Sequence, residues 1–205
     1  MRIALALSVV VALVGAALAD APKPKPAPRE PGALVLVIDR SGSMQGPKME
    51  AVKTAAKAVI SAMHPNDTIA IVGFDSEATV YVQPTRSSNR TQINKDIDRL
   101  TAGGGTNIFP GLGQAAEQLR PLKATRKHVI LLSDGEAPTD GIADLVKEMR
   151  KDKITISTVA VDGADEKLLQ DISTQGGGRF QKVTDLKTLS QTYVRELAFA
   201  SLAMK

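Results

Sequence analysis

Cysteine and tryptophan are absent from the 205-residue sequence, and it has only two tyrosines and four phenylalanines. A chain without cysteine has no disulfide framework, so a folded domain has to be stabilised by its apolar core. The absence also excludes a lipid anchor attached to a cysteine at a processed amino terminus. The few aromatic residues do not stand among clustered basic residues, so nothing in the sequence resembles a nucleic-acid-binding surface.

An excess of charge of either sign is also lacking. The chain has 26 basic and 22 acidic residues, a formal net charge of +4. Residues 1–31 contain four of the basic and two of the acidic residues, so the remaining chain has 22 basic and 20 acidic residues, or +2. Much of the basic character therefore belongs to the amino-terminal segment, and the rest of the chain has no charge run that predicts a polyanionic partner.

The amino-terminal 19 residues have the pattern of a secretory signal peptide. A basic residue, Arg2, is followed by an apolar run, and Ala17 and Ala19 supply the small residues of a cleavage site. We expect cleavage after Ala19, a mature chain beginning at Asp20, and a periplasmic or secreted location. The alternative is an uncleaved membrane anchor, but the run of about 16 apolar residues is shorter than the roughly 20 that a membrane span needs.

The segment that follows, residues 20–31, is predicted to be a linker. It contains five prolines, which cannot join a helix or an internal strand and favour an extended, solvated backbone. A spacer between the signal and a folded domain is the favoured reading, with an interaction motif as the alternative.

Residues 32–205 are predicted to form one domain in which strands and helices alternate. Apolar runs typical of strands occur at 34–38, 68–74, 78–82, 129–132, 154–161 and 179–183. Apolar residues at helical spacing occur after Pro47, at 93–100, after Pro110, and at 142–149, 168–172 and 186–197. The second and third strands are close enough to pair as a hairpin. The alternation predicts an α/β fold with a doubly wound, mostly parallel sheet, helices on both faces and one antiparallel edge strand.

Oxygen-bearing side chains stand directly after two of the predicted buried strands. Asp39, Ser41 and Ser43 follow the first strand, and Asp134 follows the fourth. The carboxyl ends of parallel strands share one edge of a sheet, where ligands bind, so these side chains should meet. Glycines before Thr106 permit a backbone that brings its hydroxyl alongside. Turn formation or helix capping is the alternative role for each residue alone, but five oxygens together suit Mg²⁺, Mn²⁺ or Ca²⁺.

This pattern, D-x-S-x-S followed by threonine in G-G-T and aspartate in S-D-G, resembles the von Willebrand factor type A family. The resemblance covers roughly residues 32–196 and implies a metal-ion-dependent adhesion site. It implies that Asp39, Ser41 and Ser43 form the first ligand loop, Thr106 the second and Asp134 the third. Mg²⁺ is the expected ion, with Mn²⁺ and Ca²⁺ as alternatives.

A metal held in this way is suited to binding a partner. Two of the five expected ligands are anionic, so a divalent ion stays electrophilic, and Mg²⁺ takes about six oxygens. A carboxylate from another protein can complete the shell at a partly dehydrated surface. The resemblance likewise implies that the ion grips an Asp or Glu of a protein partner. We expect an exported, monomeric adhesion or assembly module that contacts a membrane only if its signal stays uncleaved.

An enzyme using the same site, a metal-dependent phosphohydrolase, is the alternative. Against it, a D-x-D phosphoryl-transfer site needs an acidic residue where Ser41 stands, and neither G-x-S-x-G nor G-K-[ST] occurs. The two histidines, His64 and His128, are the available bases for a nucleophilic serine. Six residues of extended strand place His128 about 20 Å from Asp134, toward the opposite sheet edge. The sequence therefore favours a binding protein over an enzyme.

Within the family, residues 35–44 and 176–180 are most similar to bacterial envelope proteins, which often have membrane spans or a further region. This sequence ends at Lys205, directly after the last predicted helix. We therefore expect a soluble exported module.

Overall fold

Six strands in the described part of the chain form one sheet, in the order β3-β2-β1-β4-β5-β6. The computed structural model describes residues 29–202, so the predicted signal peptide (1–19) and most of the predicted linker (20–31) lie outside the described residues. The strands are β1 (Gly32–Asp39), β2 (Thr68–Phe74), β3 (Ala78–Arg86), β4 (Arg126–Ser133), β5 (Ile154–Val161) and β6 (Gly177–Val183). The helices are α1 (Pro47–Ala62), α2 (Arg90–Asp98), α3 (Ile108–Leu119), α4 (Ile142–Lys151), α5 (Glu166–Gln175) and α6 (Leu189–Leu202). Between residues 29 and 202, no helix is both long and apolar enough to span a membrane.

The strand order makes the β1–β4 pair the place where the winding of the sheet reverses. From β1 the chain adds β2 and β3 on one side, and from β4 it adds β5 and β6 on the other. All neighbouring strands are parallel except β2 and β3, which pair as an antiparallel hairpin at one edge. The predicted doubly wound α/β fold with one antiparallel edge strand is therefore confirmed.

Alternating side chains of the buried strands pack into two separate apolar cores. In β1, Leu34, Leu36 and Ile38 face a core with residues of α1, α2 and α6. The intervening Val35 and Val37 face a second core with residues of α3, α4 and α5. Because both faces are covered, β1 reads as a continuous apolar run, as strands of parallel sheets do.

Two helix starts differ from the prediction. Helix α3 begins at Ile108 rather than at Pro110, because the Asn107 side chain accepts a hydrogen bond from Phe109 N and caps the helix. Pro110 lies within the first turn, where its missing N–H does no harm. Asp185 caps a short 3₁₀ turn, Leu186–Thr188, and α6 begins only after it.

A buried carboxylate fastens α6 to the edge of the sheet. The Glu196 side chain is fully buried and accepts a hydrogen bond from Arg179 of β6 at 2.8 Å and from Gln181 at 2.9 Å. The Arg179 guanidinium also lies 4.0 Å from the centre of the Phe199 ring. One arginine thus neutralises a buried charge and covers an aromatic ring, so α6 is tied to β6 by more than apolar packing.

The chain enters the described domain at the amino-terminal end of β1. There the Arg29 guanidinium contacts both carboxylate oxygens of Asp67, at 2.8 and 3.1 Å, and the backbone N–H of Gly32 donates to Asp67 at 2.9 Å. A small cavity beside these residues is also lined by Leu197 and Ala200, near the end of α6. The start of β1 and the end of α6 therefore lie close together.

His128 is buried at this same amino-terminal end of the sheet. It lies in the half of β4 that is farther from Asp134, as the sequence predicted. Its Nδ1 lies 2.6 Å from Thr155 Oγ1, whereas its Nε2 has no hydrogen-bond partner among the described residues. Burial, with a smaller effect from the Arg179 charge, lowers the pKa of His128 to about 3. The imidazole is therefore neutral in the folded protein at physiological pH.

We predict that mild acid destabilises the domain through His128. The folded-state pKa of about 3 lies below the ordinary value of 6.5, so the unfolded chain binds more protons between these values. Stability is therefore lost as the pH falls below 6.5, by about 2 kcal/mol at pH 5. Urea unfolding of wild type and His128→Leu at pH 7 and pH 5, both with EDTA, measures the effect as the difference between their two pH dependences. Equal pH dependences would contradict the prediction.

Candidate metal site

Asp39, the last residue of β1, is fixed at both carboxylate oxygens. The backbone N–H of Ser41 donates to Oδ1 at 2.8 Å, and the hydroxyl of Ser133 donates to Oδ2 at 2.6 Å. The Asp39 side chain is fully buried, and this burial raises its pKa, although the bonds from Ser133 and Ser41 partly oppose the shift. The site therefore contains a desolvated, pre-oriented carboxylate whose negative charge a bound cation would stabilise.

The structure brings the first and third predicted ligand loops together. Ser41 precedes a 3₁₀ turn, Gly42–Met44, that follows β1, Ser43 lies within this turn, and the two serine hydroxyl oxygens lie 3.0 Å apart. The Ser43 hydroxyl then donates to Asp134 Oδ1 at 2.7 Å, across 91 positions of sequence. Because β1 and β4 are adjacent and parallel, Asp39 and Asp134 leave the sheet at the same edge.

Thr106 reaches this edge because its loop is fastened to the neighbouring ones. Within the loop, Gly104 O accepts a backbone hydrogen bond from Gly42 N at 3.1 Å, and Asn107 N donates one to Asp75 O at 2.7 Å. Gly104 has φ +89°, and a β-carbon there would lie 3.0 Å from the Asp75 side chain, so the tight approach requires glycine. Thr106 itself borders the third loop: its Oγ1 would lie 3.2 Å from a β-carbon at Gly135.

Asp75, directly after β2, also supports this loop. Its carboxylate pairs with the Arg40 guanidinium at 2.5 Å, and Gly103 N donates to Arg40 O at 2.7 Å. Arg40, directly after β1, and Asp75, directly after β2, thus both hold the loop that contains Thr106. Asp75 therefore has a structural role in placing Thr106.

Two side chains that hold the carboxylates were not predicted from the sequence. Ser133 holds Asp39, and the register of β1 on β4, which pairs Ile38 with Leu132, is the signal that places them side by side. Lys48, in the first turn of α1, donates to Asp134 Oδ2 and to the Asp162 carbonyl. Its signal is a lysine at a helix amino terminus, where the helix dipole disfavours a cation.

The residues present fit a hard divalent cation. The donors are carboxylate and hydroxyl oxygens, which Mg²⁺, Mn²⁺ and Ca²⁺ accept, and both carboxylates are buried. Within residues 29–202 there is no group of three or more His, Cys, Asp or Glu side chains placed to hold a metal, so no competing site of that kind is found there. The described residues thus offer one edge, with two carboxylates and three hydroxyls, as the candidate metal site.

Comparison with known proteins agrees with this architecture. The family model of the von Willebrand factor type A domain matches residues 33–195, and the chain belongs to this family. The Synechocystis sp. protein sll0103 is 31% identical over 176 residues, which are 82% of this chain and 42% of that protein. The chain thus spans less than half the length of this curated relative.

Solved structures show the same fold. A von Willebrand factor type A protein from Catenulispora acidiphila superposes with a TM-score of 0.78 at 28% identity, covering 84% of this chain and 43% of that one. Proximal thread matrix protein 1 of the mussel byssus, in a structure titled as having a zinc-occupied MIDAS motif, has a TM-score of 0.72 at 24% identity. That match covers 82% of this chain and 46% of the mussel chain.

Proposed function

We propose that this protein is an exported binding module that holds a divalent cation through Asp39, Ser41, Ser43, Thr106 and Asp134. Through the cation it would bind a carboxylate of a protein partner. The observation that carries the proposal is the Ser43–Asp134 contact of 2.7 Å, which joins the first and third loops at the switch point of the sheet. Mg²⁺ is the proposed ion, with Mn²⁺ or Ca²⁺ as substitutes.

In the proposed site, the carboxylates would supply oriented negative charge and the hydroxyls would supply neutral oxygen ligands. Asp39 and Asp134 are each held by neighbours before any ligand arrives, so their oxygens are pre-organised. The serine and threonine hydroxyls add oxygens without adding charge. When bound, the ion would supply a Lewis-acidic position that attracts an anionic ligand. Two carboxylates balance the formal charge of a divalent ion. Because the hydroxyl ligands donate little charge, the ion would stay electrophilic.

A metal at this kind of site has a precedent in a protein of the same fold. The mussel byssus protein has a zinc-occupied MIDAS motif, so the identity of the ion in this chain is a proposal. Export rests on the signal-like residues 1–19, and with it a periplasmic or secreted location. A membrane contact would follow only if those residues stay attached.

The direct test compares two labelled peptides that differ in one group. We expect a Gly-Glu-Gly peptide to bind the purified protein with Mg²⁺ but not with EDTA, and the matched Gly-Gln-Gly peptide to bind in neither case. Fluorescence anisotropy measures both. Asp134→Asn should abolish the binding because it removes an anionic ligand, whereas Asp140→Asn, an exposed aspartate in the same loop region, should not.

Equal binding of the two peptides, or binding that survives EDTA, would contradict the proposal. The phosphohydrolase alternative has its own readout in the same samples. Release of nitrophenolate from p-nitrophenyl phosphate with Mg²⁺, lost in Asp134→Asn, would favour an enzyme instead.

A further inference from the structure

Lys48 joins three elements at the candidate metal site. Its ammonium donates to Asp134 Oδ2 at the end of β4 and, at 3.0 Å, to the carbonyl of Asp162 at the end of β5. The Asp134 side chain is fully buried, and 26% of the Lys48 side chain is exposed. One lysine of α1 therefore pairs with the inner carboxylate while its own side chain stays partly in contact with solvent.

The ammonium and the Ser43 hydroxyl contact different oxygens of the Asp134 carboxylate. Asp134 Oδ2 faces Lys48, whereas Oδ1 accepts from Ser43. Among the hydrogen bonds of residues 29–202, Lys48 has none to Asp39, Ser43 or Thr106. Lys48 thus contacts Oδ2 of Asp134 and leaves Oδ1 to the Ser43 hydroxyl.

The position of Lys48 is unfavourable for the helix itself. It is the second residue of α1, and the partial positive charge of a helix amino terminus repels a cation. Glu50, which follows in the same turn, is the type of residue that such a position favours. The contact with Asp134 offsets this repulsion, so the site rather than the helix accounts for a lysine here.

Charge counting shows what Lys48 adds. Asp39 and Asp134 contribute two negative charges and Lys48 one positive charge. A divalent ion with the two carboxylates alone would give a neutral site, whereas the site with Lys48 has a net charge of +1. Residual positive charge at a partly dehydrated edge favours an anion over a neutral ligand or water.

We propose that Lys48 is a positioning and specificity-determining residue of this site. It holds the Asp134 carboxylate through Oδ2, and its charge would weaken retention of a bound metal while strengthening capture of an anionic ligand. The inference rests on the proposed function and deepens it, because it names the residue that makes the loaded site selective for a carboxylate.

The test uses Mn²⁺ and acetate as probes. Free Mn²⁺ is measured by electron paramagnetic resonance, and acetate binding by the loss of water-proton relaxation at protein-bound Mn²⁺, at constant ionic strength. For Lys48→Met we expect Mn²⁺ affinity to rise about tenfold and acetate affinity to fall about tenfold, since one nearby charge is removed. Lys48→Gln, which keeps a donor without the charge, should likewise raise the Mn²⁺ affinity and lower the acetate affinity.

Two further variants complete the design. Lys48→Arg keeps the charge and should stay within about threefold of wild type for both probes. Lys57→Met removes a lysine from the same helix, about 13 Å farther along, where it pairs with Asp98, and should change neither affinity. A fall of both affinities in Lys48→Met and Lys48→Gln would mean that Lys48 only braces the fold, and unchanged affinities would mean that it has no role. Either result would overturn the inference while leaving the proposed function intact; a wild-type protein that binds no Mn²⁺ would overturn both.

Discussion

Replacement of Asp39 by asparagine is expected to weaken Mg²⁺ or Mn²⁺ binding by about a hundredfold or more and to leave the metal-free domain at least as stable as wild type. The loss follows because one of two anionic ligands disappears from a buried site. The retained stability follows because burial already raises the pKa of Asp39, so the charged carboxylate is costly without a cation. The asparagine carbonyl can still accept from Ser41 N, and the Ser133 hydroxyl can rotate to accept from the amide.

Isothermal titration calorimetry with MnCl₂ measures the first half of this prediction, and thermal unfolding in EDTA measures the second. Asp67→Asn is the matched control, because Asp67 is also a buried aspartate but pairs with Arg29 at the opposite end of β1. It should keep the metal affinity and lose stability. Wild-type affinity in Asp39→Asn would show that Asp39 is not a ligand.

Removal of the Arg179 guanidinium is expected to have the largest effect on stability. Arg179→Met leaves the carboxylate of Glu196 fully buried with one remaining donor, Gln181. Breaking a buried pair on one side costs about 3–5 kcal/mol, and the lower end applies because 41% of the Arg179 side chain is exposed. For a domain of this size, a loss of about 3 kcal/mol corresponds to a fall in Tm of about 6–12 °C.

The double variant Arg179→Met/Glu196→Leu separates an unpaired charge from lost packing. With both partners apolar, no buried charge is left, so much of the stability should return. Differential scanning calorimetry of the wild type, both single variants and the double variant gives the coupling energy. A double variant no more stable than Arg179→Met would mean that the arginine acts through its contact with Phe199 instead.

The parts of the structure that the sequence predicted are those with local, periodic signals. The run of apolar residues before Asp39 predicted a buried strand, and the same pattern before Ser133 predicted its neighbour. Because parallel strands end at a common edge, the approach of Asp39 and Asp134 followed from the order of elements alone. The hairpin of β2 and β3 followed from the short turn between two apolar segments.

The parts that escaped prediction depend on contacts between loops. The pair of Arg40 and Asp75 holds the Thr106 loop, but the two residues are 35 positions apart, Arg40 occupies an unspecified position of the D-x-S-x-S pattern, and Asp75 belongs to no motif. Lys48 belongs to no motif of the sequence, and its role depends on where the β4 and β5 loops lie relative to α1. Helix α3 started before its proline because a side-chain cap at Asn107 determined the boundary, and several nearby residues were equally able to cap.

Arg29 and Gly32 are bound to Asp67 close to the end of α6, and this arrangement affects how the domain can be joined to other segments of a polypeptide. Strand β1 runs about 23 Å from Gly32 to Asp39, so the candidate metal site lies at the opposite end of the strands from Gly32 and from the end of α6. A domain whose two connections leave from one side can be inserted between segments of a larger polypeptide without separating them. In such an insertion the metal edge would face outward, free to meet a second molecule whatever flanks the domain.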